Sequence, residues 1–265
     1  MKETYPVSAL DWGLQEQATQ QAISLGRVAV TSSDFLFVAC FDGTNNDWRD
    51  LPESETDIET NVAALYHMCE TLEKEGSSVK AGYYAGPGTN GSFLFSEGWP
   101  PSVTAEINRQ ASRAYDDFVE KARNWIAENP NKNPEEHLKA ATTGFSRGCA
   151  TAVRFCQLLN ERGLVSADGL VLAKKGSIEV AATVLLDPVT TGYLDDLSIP
   201  QNVNMHNFVS LQARDEFRYA FKAATFGPDA NVVKFVGNHG DVGGFYTNEE
   251  VSGVVTPGAT TLQAL

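Results

Sequence analysis

The chain has 265 residues, enough to bury a full hydrophobic core in one large α/β domain. Its formal net charge of -14 at pH 7 excludes a nucleic-acid partner, because a phosphate-binding surface needs a basic footprint. The acidic residues are spread along the chain rather than blocked into a tail, so the charge reads as a solubility device.

The first residues are polar. MKETYPVSALDWGLQ lacks the basic start and apolar core of a signal peptide, and no later window reaches membrane-spanning length. Cytoplasmic synthesis without a transmembrane segment is the expectation. Residues 1–30 read as an N-terminal extension with one helix near Leu14 to Leu25. The first firm strand is Phe35 to Phe41, FLFVACF, a continuous apolar run suited to burial on both faces of a parallel sheet. It ends in Asp42, Gly43, Thr44, Asn45 and Asn46.

After an acidic loop, Ile58, Val62, Leu65, Tyr66, Cys69 and Leu72 recur at helical spacing until Gly76. Val79 to Ala85 reads as a second strand running into Gly86, Pro87 and Gly88. Residues 90–101 hold an apolar cluster, Phe93, Leu94, Phe95 and Trp99, between glycines and prolines; this is a candidate lid or acyl-chain contact surface, or a loop tucked onto the core. A long amphipathic helix follows from Ser102 to Glu128. The next strand runs into Gly-Phe-Ser-Arg-Gly and a helix to Gly163, and then comes a loop rich in glycine and lysine. Ile178 to Leu186, Val203 to Leu211 and Val232 to Val236 read as the last three strands. The whole chain, 1–265, is expected to be one doubly wound α/β domain with a mostly parallel sheet of about six strands and helices on both faces.

Each strand ends in its own polar or glycine-rich cluster: DGTNN, GPGTNG, GFSRG, DPVTT, QARDE and GNHGDVGG. In an open parallel sheet these ends lie along one edge, where ligands bind. The pentapeptide around Ser146 has the form of a strand-turn-helix in which a strained serine points its hydroxyl away from the sheet, with Gly144 and Gly148 allowing close crossing. Such a pentapeptide also arises by chance, so context decides. A serine hydroxyl needs a general base and a carboxylate to orient that base. Ser146, Asp187 and His239 follow in the order nucleophile, acid, base of an α/β-hydrolase, each just after an expected strand. The expected strands then correspond to the third to eighth of that fold, with the acid after the sixth rather than the commoner seventh.

Of the four histidines, His67 falls mid-helix, His137 precedes a strand at the wrong end of the sheet and His206 falls inside a strand. Asp215 and Asp241 are the rival acids to Asp187. Oxyanion donors are expected from the backbone N–H of Arg147 and from Gly43 or Thr44, with Asp42 bracing that loop and Asp241 supporting the site. Cys40, Cys69, Cys149 and Cys156 match no zinc or redox spacing and read as buried thiols; no metal site and no cofactor is expected. Two phosphoryl-transfer motifs fail. FDGT has Cys40 where an aspartyl nucleophile would stand, and GPGTNG has no lysine.

FDGTNN, YYAGPGTNG, GFSRGCA, VSLQARDEFRYAF and HGDVGG together resemble the catalytic domain of the type VI secretion phospholipase effectors, family 1, over about Phe35 to Tyr246. The resemblance implies an α/β-hydrolase fold, a Ser146, Asp187 and His239 triad, and cleavage of phospholipid carboxylic esters in bacterial membranes. It also implies delivery by type VI secretion, with a secretion-machine component and an immunity protein as partners. The chain departs from the pattern at Cys149, where alanine is usual, and at Gly240, where serine is commoner. It also ends about twenty residues after Gly244, so the longer C-terminal part that some effectors use at membranes is expected to be missing. The competing readings are an esterase or thioesterase for soluble acyl esters and a non-catalytic binding module that retains the fold.

Overall fold

A computed structural model describes residues 8–25, 30–50, 59–89, 100–199, 204–226 and 231–244. The first elements are α1 (Ala9–Leu25), β1 (Phe35–Phe41), α2 (Asn61–Lys74) and β2 (Val79–Tyr84). Then come α3 (Pro100–Glu128), a short α4 (Pro134–His137), β3 (Leu138–Phe145) and α5 (Gly148–Arg162). After β4 (Leu164–Val165) and β5 (Val171–Ala173), the chain runs through β6 (Glu179–Leu186), β7 (Phe208–Ala213), β8 (Asn231–Phe235) and α6 (His239–Gly243).

The main sheet has six strands in the order β2-β1-β3-β6-β7-β8, and every pairing in it is parallel. This is an α/β-hydrolase-like doubly wound sheet. The composition of β1 follows from its central position, because successive side chains point to opposite faces and both faces are covered. Phe35, Phe37, Ala39 and Phe41 pack with Ala111, Phe118 and Ala122 of α3 and Phe155 of α5. Phe37 stacks on Phe118 with ring centroids 5.0 Å apart. On the other face Val38 and Cys40 share a cluster with Ala18 and Ala22 of α1, Val62 and Cys69 of α2, and Val242 of α6. All four cysteines are buried and free.

Four local readings are corrected. The glycine- and lysine-rich stretch after α5 is not wholly loop, because β4 and β5 pair antiparallel there as a separate two-stranded sheet. His206 lies outside the strand assigned to it, since β7 begins at Phe208. The second helix starts at Asn61, where the Thr60 hydroxyl accepts the Ala63 N–H at 3.2 Å and caps it; Ile58 lies outside the described residues. Helix α1 is longer than expected and is part of the packing rather than an appendage. Gln15 Oε1 accepts the Val236 N–H at 2.9 Å, and Arg214 bridges to Asp11 at 2.7 Å. The candidate lid side chains Phe93, Leu94, Phe95 and Trp99 lie outside the described residues.

Candidate active site

Strand β1 is followed in sequence by its neighbour on one side, β2, and the chain then crosses to its neighbour on the other side, β3. Such a reversal opens a crevice at the carboxyl ends of the strands. Ser146 follows β3 at that crevice, beside the loop that follows β1.

The backbone at Ser146 is left-handed, with φ 54°, a conformation that costs a non-glycine residue about 1–3 kcal/mol and persists only where the surroundings enforce it. The enforcement is visible. The Ser146 N–H donates to Leu186 O at 3.0 Å, and its carbonyl accepts the N–H groups of Cys149 and Val189, both at 3.1 Å. The flanking glycines are required by close approach: a Cβ on Gly148 would stand 2.3 Å from Phe41 O, and one on Gly144 would stand 2.5 Å from Gly148 O. The serine is buried on its turn.

Asp187 follows β6 and is also left-handed, with φ 39°. Its carboxylate is fully buried and both oxygens are used. Oδ1 accepts the Ala213 N–H at 2.8 Å, and Oδ2 lies 2.7 Å from Nδ1 of His239. Loops after β6 and β8 thus meet across the end of β7. His239 is not in a free turn but is the first residue of α6, whose N-cap Asn238 and Asp241 form a reciprocal capping box. His239 is 3 % exposed, and its imidazole lies between two rings, Phe145 at 4.6 Å and Phe221 at 4.9 Å between centroids.

The rival acids are engaged elsewhere. Asp241 Oδ2 accepts the Asn238 N–H at 2.7 Å, and burial raises its carboxyl above the ordinary range. Asp215 accepts the Gly237 N–H at 3.0 Å and pairs with Arg214 at 2.8 Å. The other histidines are also accounted for. His67 lies between Glu59 and Glu70, His137 contacts Asp34 at 2.9 Å, and His206 is exposed beside Glu179.

Asp42 braces the loop after β1. It is buried, and its oxygens accept the Gly43 N–H at 2.8 Å, the Thr60 hydroxyl at 2.9 Å and the Tyr83 hydroxyl at 2.5 Å. Burial nevertheless pushes its carboxyl up to about 7, with those donors opposing the rise. The first of these bonds corrects one expectation. The Gly43 N–H is already committed to Asp42 and is not an open donor. Among the described residues, no acceptor lies on the N–H of Thr44 or of Arg147. The Arg147 side chain ties these two loops together, donating from Nη1 to the Thr44 hydroxyl at 3.1 Å and from Nε to Thr191 O at 3.0 Å. Gly86 supports the same loop. A Cβ there would coincide with Gly43 O, and its own N–H donates to Asn46 O at 2.9 Å.

Glu216, Arg218 and Phe221 have no role assigned from the sequence, although the stretch RDEFRYAF is one of its motifs. Glu216 Oε2 accepts the backbone N–H of His239 at 3.2 Å and pairs with Arg218 at 2.8 Å. Arg218 holds the Glu216 carboxyl down to about 2, so it stays charged. The Arg218 guanidinium lies 3.8 Å from the ring centroid of Phe221, the ring that meets His239 edge-on. Among the described residues, no group of three or more His, Cys, Asp or Glu side chains could hold a metal ion.

A family model for the type VI secretion phospholipase effector Tle1-like catalytic domain matches residues 36–182. No curated protein sequence matches the chain. Among solved structures, an uncharacterized protein from Pseudomonas aeruginosa is similar at a TM-score of 0.61 and 17% identity, over 99% of this chain and 50% of that one. The Tle1 effector bound to the VgrG spike of the type VI secretion system is similar at a TM-score of 0.50 and 16% identity, over 83% of this chain and 52% of that one. The chain therefore spans about half the length of these two proteins, and at such identities the likeness is one of fold. With more than half of its residues matched by the family model, and the matched span running from β1 through the serine turn into β6, the chain belongs to the type VI secretion Tle1-like phospholipase effector catalytic domain family.

Proposed function

We propose that the chain is a serine hydrolase of carboxylic esters that acts on phospholipids of bacterial membranes, working as one catalytic unit. The observation that carries the reading is the buried 2.7 Å contact between Asp187 Oδ2 and His239 Nδ1, on the sheet edge that also presents Ser146 on a left-handed turn. With Asp187 accepting the Nδ1–H, the Nε2 of His239 is left free to take the Ser146 proton. Ser146 Oγ then attacks the acyl carbonyl, and the N–H groups of Thr44 and Arg147 receive the oxyanion. His239 returns the proton to the leaving alcohol, and water, activated by the same imidazole, releases the fatty acid from the acyl-enzyme.

The family supports phospholipid as the substrate class and delivery by type VI secretion. The VgrG spike bound to the similar effector supports a secretion-machine partner; an immunity protein is the second partner that the sequence resemblance implies. No helix of the described residues is long and apolar enough to cross a membrane.

The test is fatty-acid release from phosphatidylethanolamine vesicles by the wild-type chain and by Ser146→Ala, with fluorophosphonate labelling in parallel. Labelling and release that both vanish in Ser146→Ala are expected. Release unchanged by the substitution overturns the nucleophile. Turnover of monomeric short-chain esters without turnover of vesicles assigns the site to soluble substrates, and absence of labelling in the wild type leaves only a binding module.

A further inference from the structure

The loop that follows β7 does more than brace His239. Phe217 is 87% exposed and Tyr219 is 97% exposed, two residues apart on the same stretch. Their backbone is held from below, because Arg218 donates its N–H and Nε to Glu216 Oε1 at 2.8 and 2.9 Å, and Thr191 Oγ1 donates to Ala220 O at 2.8 Å. The two rings are therefore presented to solvent by a well-bonded loop, at a cost in apolar exposure that folding alone does not explain.

The surroundings include two cations without a carboxylate partner among the described residues. Phe217 and Tyr219 line a cavity of about 440 Å³ together with Arg214, Arg218, Lys222 and Lys234, and its wall includes Asp187. The carboxylates in that lining, Asp187 and Glu216, are both occupied by internal partners. Lys222 and Lys234 are exposed and make no ion pair among the described residues. Arg214 is paired with Asp11 and Asp215, and Arg218 with Glu216, so Lys222 and Lys234 are the cations of this lining that no described carboxylate neutralises, on a chain of net charge -14.

Exposed aromatic rings beside free lysines are suited to a phosphate-bearing lipid surface, where the rings sit at headgroup level and the ammonium groups meet phosphate. We propose that Phe217 and Tyr219, with Lys222 and Lys234, dock the catalytic edge onto an anionic lipid bilayer. Because this loop also touches His239, docking there brings the site mouth to the surface that holds the substrate. The inference rests on the hydrolase reading for its purpose but not for its measurement.

The test uses the full chain carrying Ser146→Ala, so that vesicles stay intact, and sedimentation with vesicles of phosphatidylethanolamine and phosphatidylglycerol or of phosphatidylcholine alone. The parent is expected to sediment with the anionic vesicles and to be released by salt. Phe217→Ala with Tyr219→Ala is expected to weaken partition by roughly tenfold or more. Lys222→Glu with Lys234→Glu is expected to weaken it by roughly tenfold and to remove the preference for anionic lipid. Circular dichroism and melting curves show whether each variant folds; lone Phe217→Ser and Tyr219→Ser replace the pair if it does not. A parent that stays in the supernatant, or variants that sediment like the parent, overturn the proposal. So does conversion of a dimer to a monomer by the aromatic substitutions with sedimentation unaltered, which would assign the patch to a second copy. Wild-type turnover of monomeric esters separates the two failures. Turnover without sedimentation sinks docking alone, whereas sedimentation without any turnover sinks the hydrolase reading alone.

Discussion

Single atoms decide the geometry at the serine turn. A methyl group at Gly148 would meet two carbonyl oxygens of the loop after β1, Phe41 O at 2.3 Å and Asp42 O at 2.5 Å, and neither can move without shifting the strand end. Gly148→Ala is therefore expected to destabilise the fold by about 1–3 kcal/mol, read by urea unfolding. At Asp187 the shape can be kept while the chemistry is lost. Asp187→Asn presents an amide to His239, favours the wrong imidazole tautomer, and should lower kcat for a soluble ester by about 10⁴-fold with the melting temperature little changed. A kcat within tenfold of wild type would move the acid elsewhere. Asp42 gives a prediction about pH. Its carboxyl is raised by burial to about 7 in the folded chain and has the ordinary low value when unfolded. Its contribution is thus fully present below the unfolded value, and stability is lost as pH rises through about 7. Asp42→Asn should remove this dependence, so the melting-temperature difference between wild type and variant should move in favour of the variant from pH 5 to pH 8. A constant difference across that range would show that the donors around Asp42 outweigh its burial.

At the scale of elements, His239 is held by two pieces of chain, the cap of α6 and the loop after β7. Glu216 is the hinge between them, since it takes the His239 N–H while locked by Arg218. Glu216→Ala should lower kcat for a monomeric ester by about 10²-fold through misplacement of the imidazole, with KM little changed. Equal changes in kcat and stability would reduce Glu216 to a structural residue. Helix α1 makes a second element-scale claim. Ala18 and Ala22 are buried in the cluster that holds Val233 and Phe235, and Asp11 bridges to Arg214 on the loop beside the site. Removal of residues 1–25 should expose the β7 and β8 face and yield an insoluble or molten chain, measured by recovery in the soluble fraction and by near-ultraviolet dichroism.

For the whole molecule, charge and topology pull in different directions. The net charge of -14 repels an anionic surface, yet the edge where the strands end carries the unpaired Lys222 and Lys234 beside two exposed rings, around one cavity. Long-range repulsion is screened over about 10 Å at ordinary salt, so two unpaired lysines beside exposed rings can govern contact. Much of this architecture was legible in the sequence because its signals are local. FLFVACF must be covered on both faces, the GFSRG turn needs its two glycines, and the order Ser146, Asp187, His239 is linear information. The sequence by itself thus determined the sheet class, the strand ends that converge and the three side chains at issue. Only the tertiary structure decided which carboxylate meets His239, that the Gly43 N–H is spent on Asp42, and that Glu216, Arg218 and Phe221 stand behind the imidazole. The physical reason is range. Hydrophobic period and turn chemistry act over a few residues, whereas a contact such as Asp187 with His239, 52 residues apart, exists only once the parallel strands have set the loops side by side.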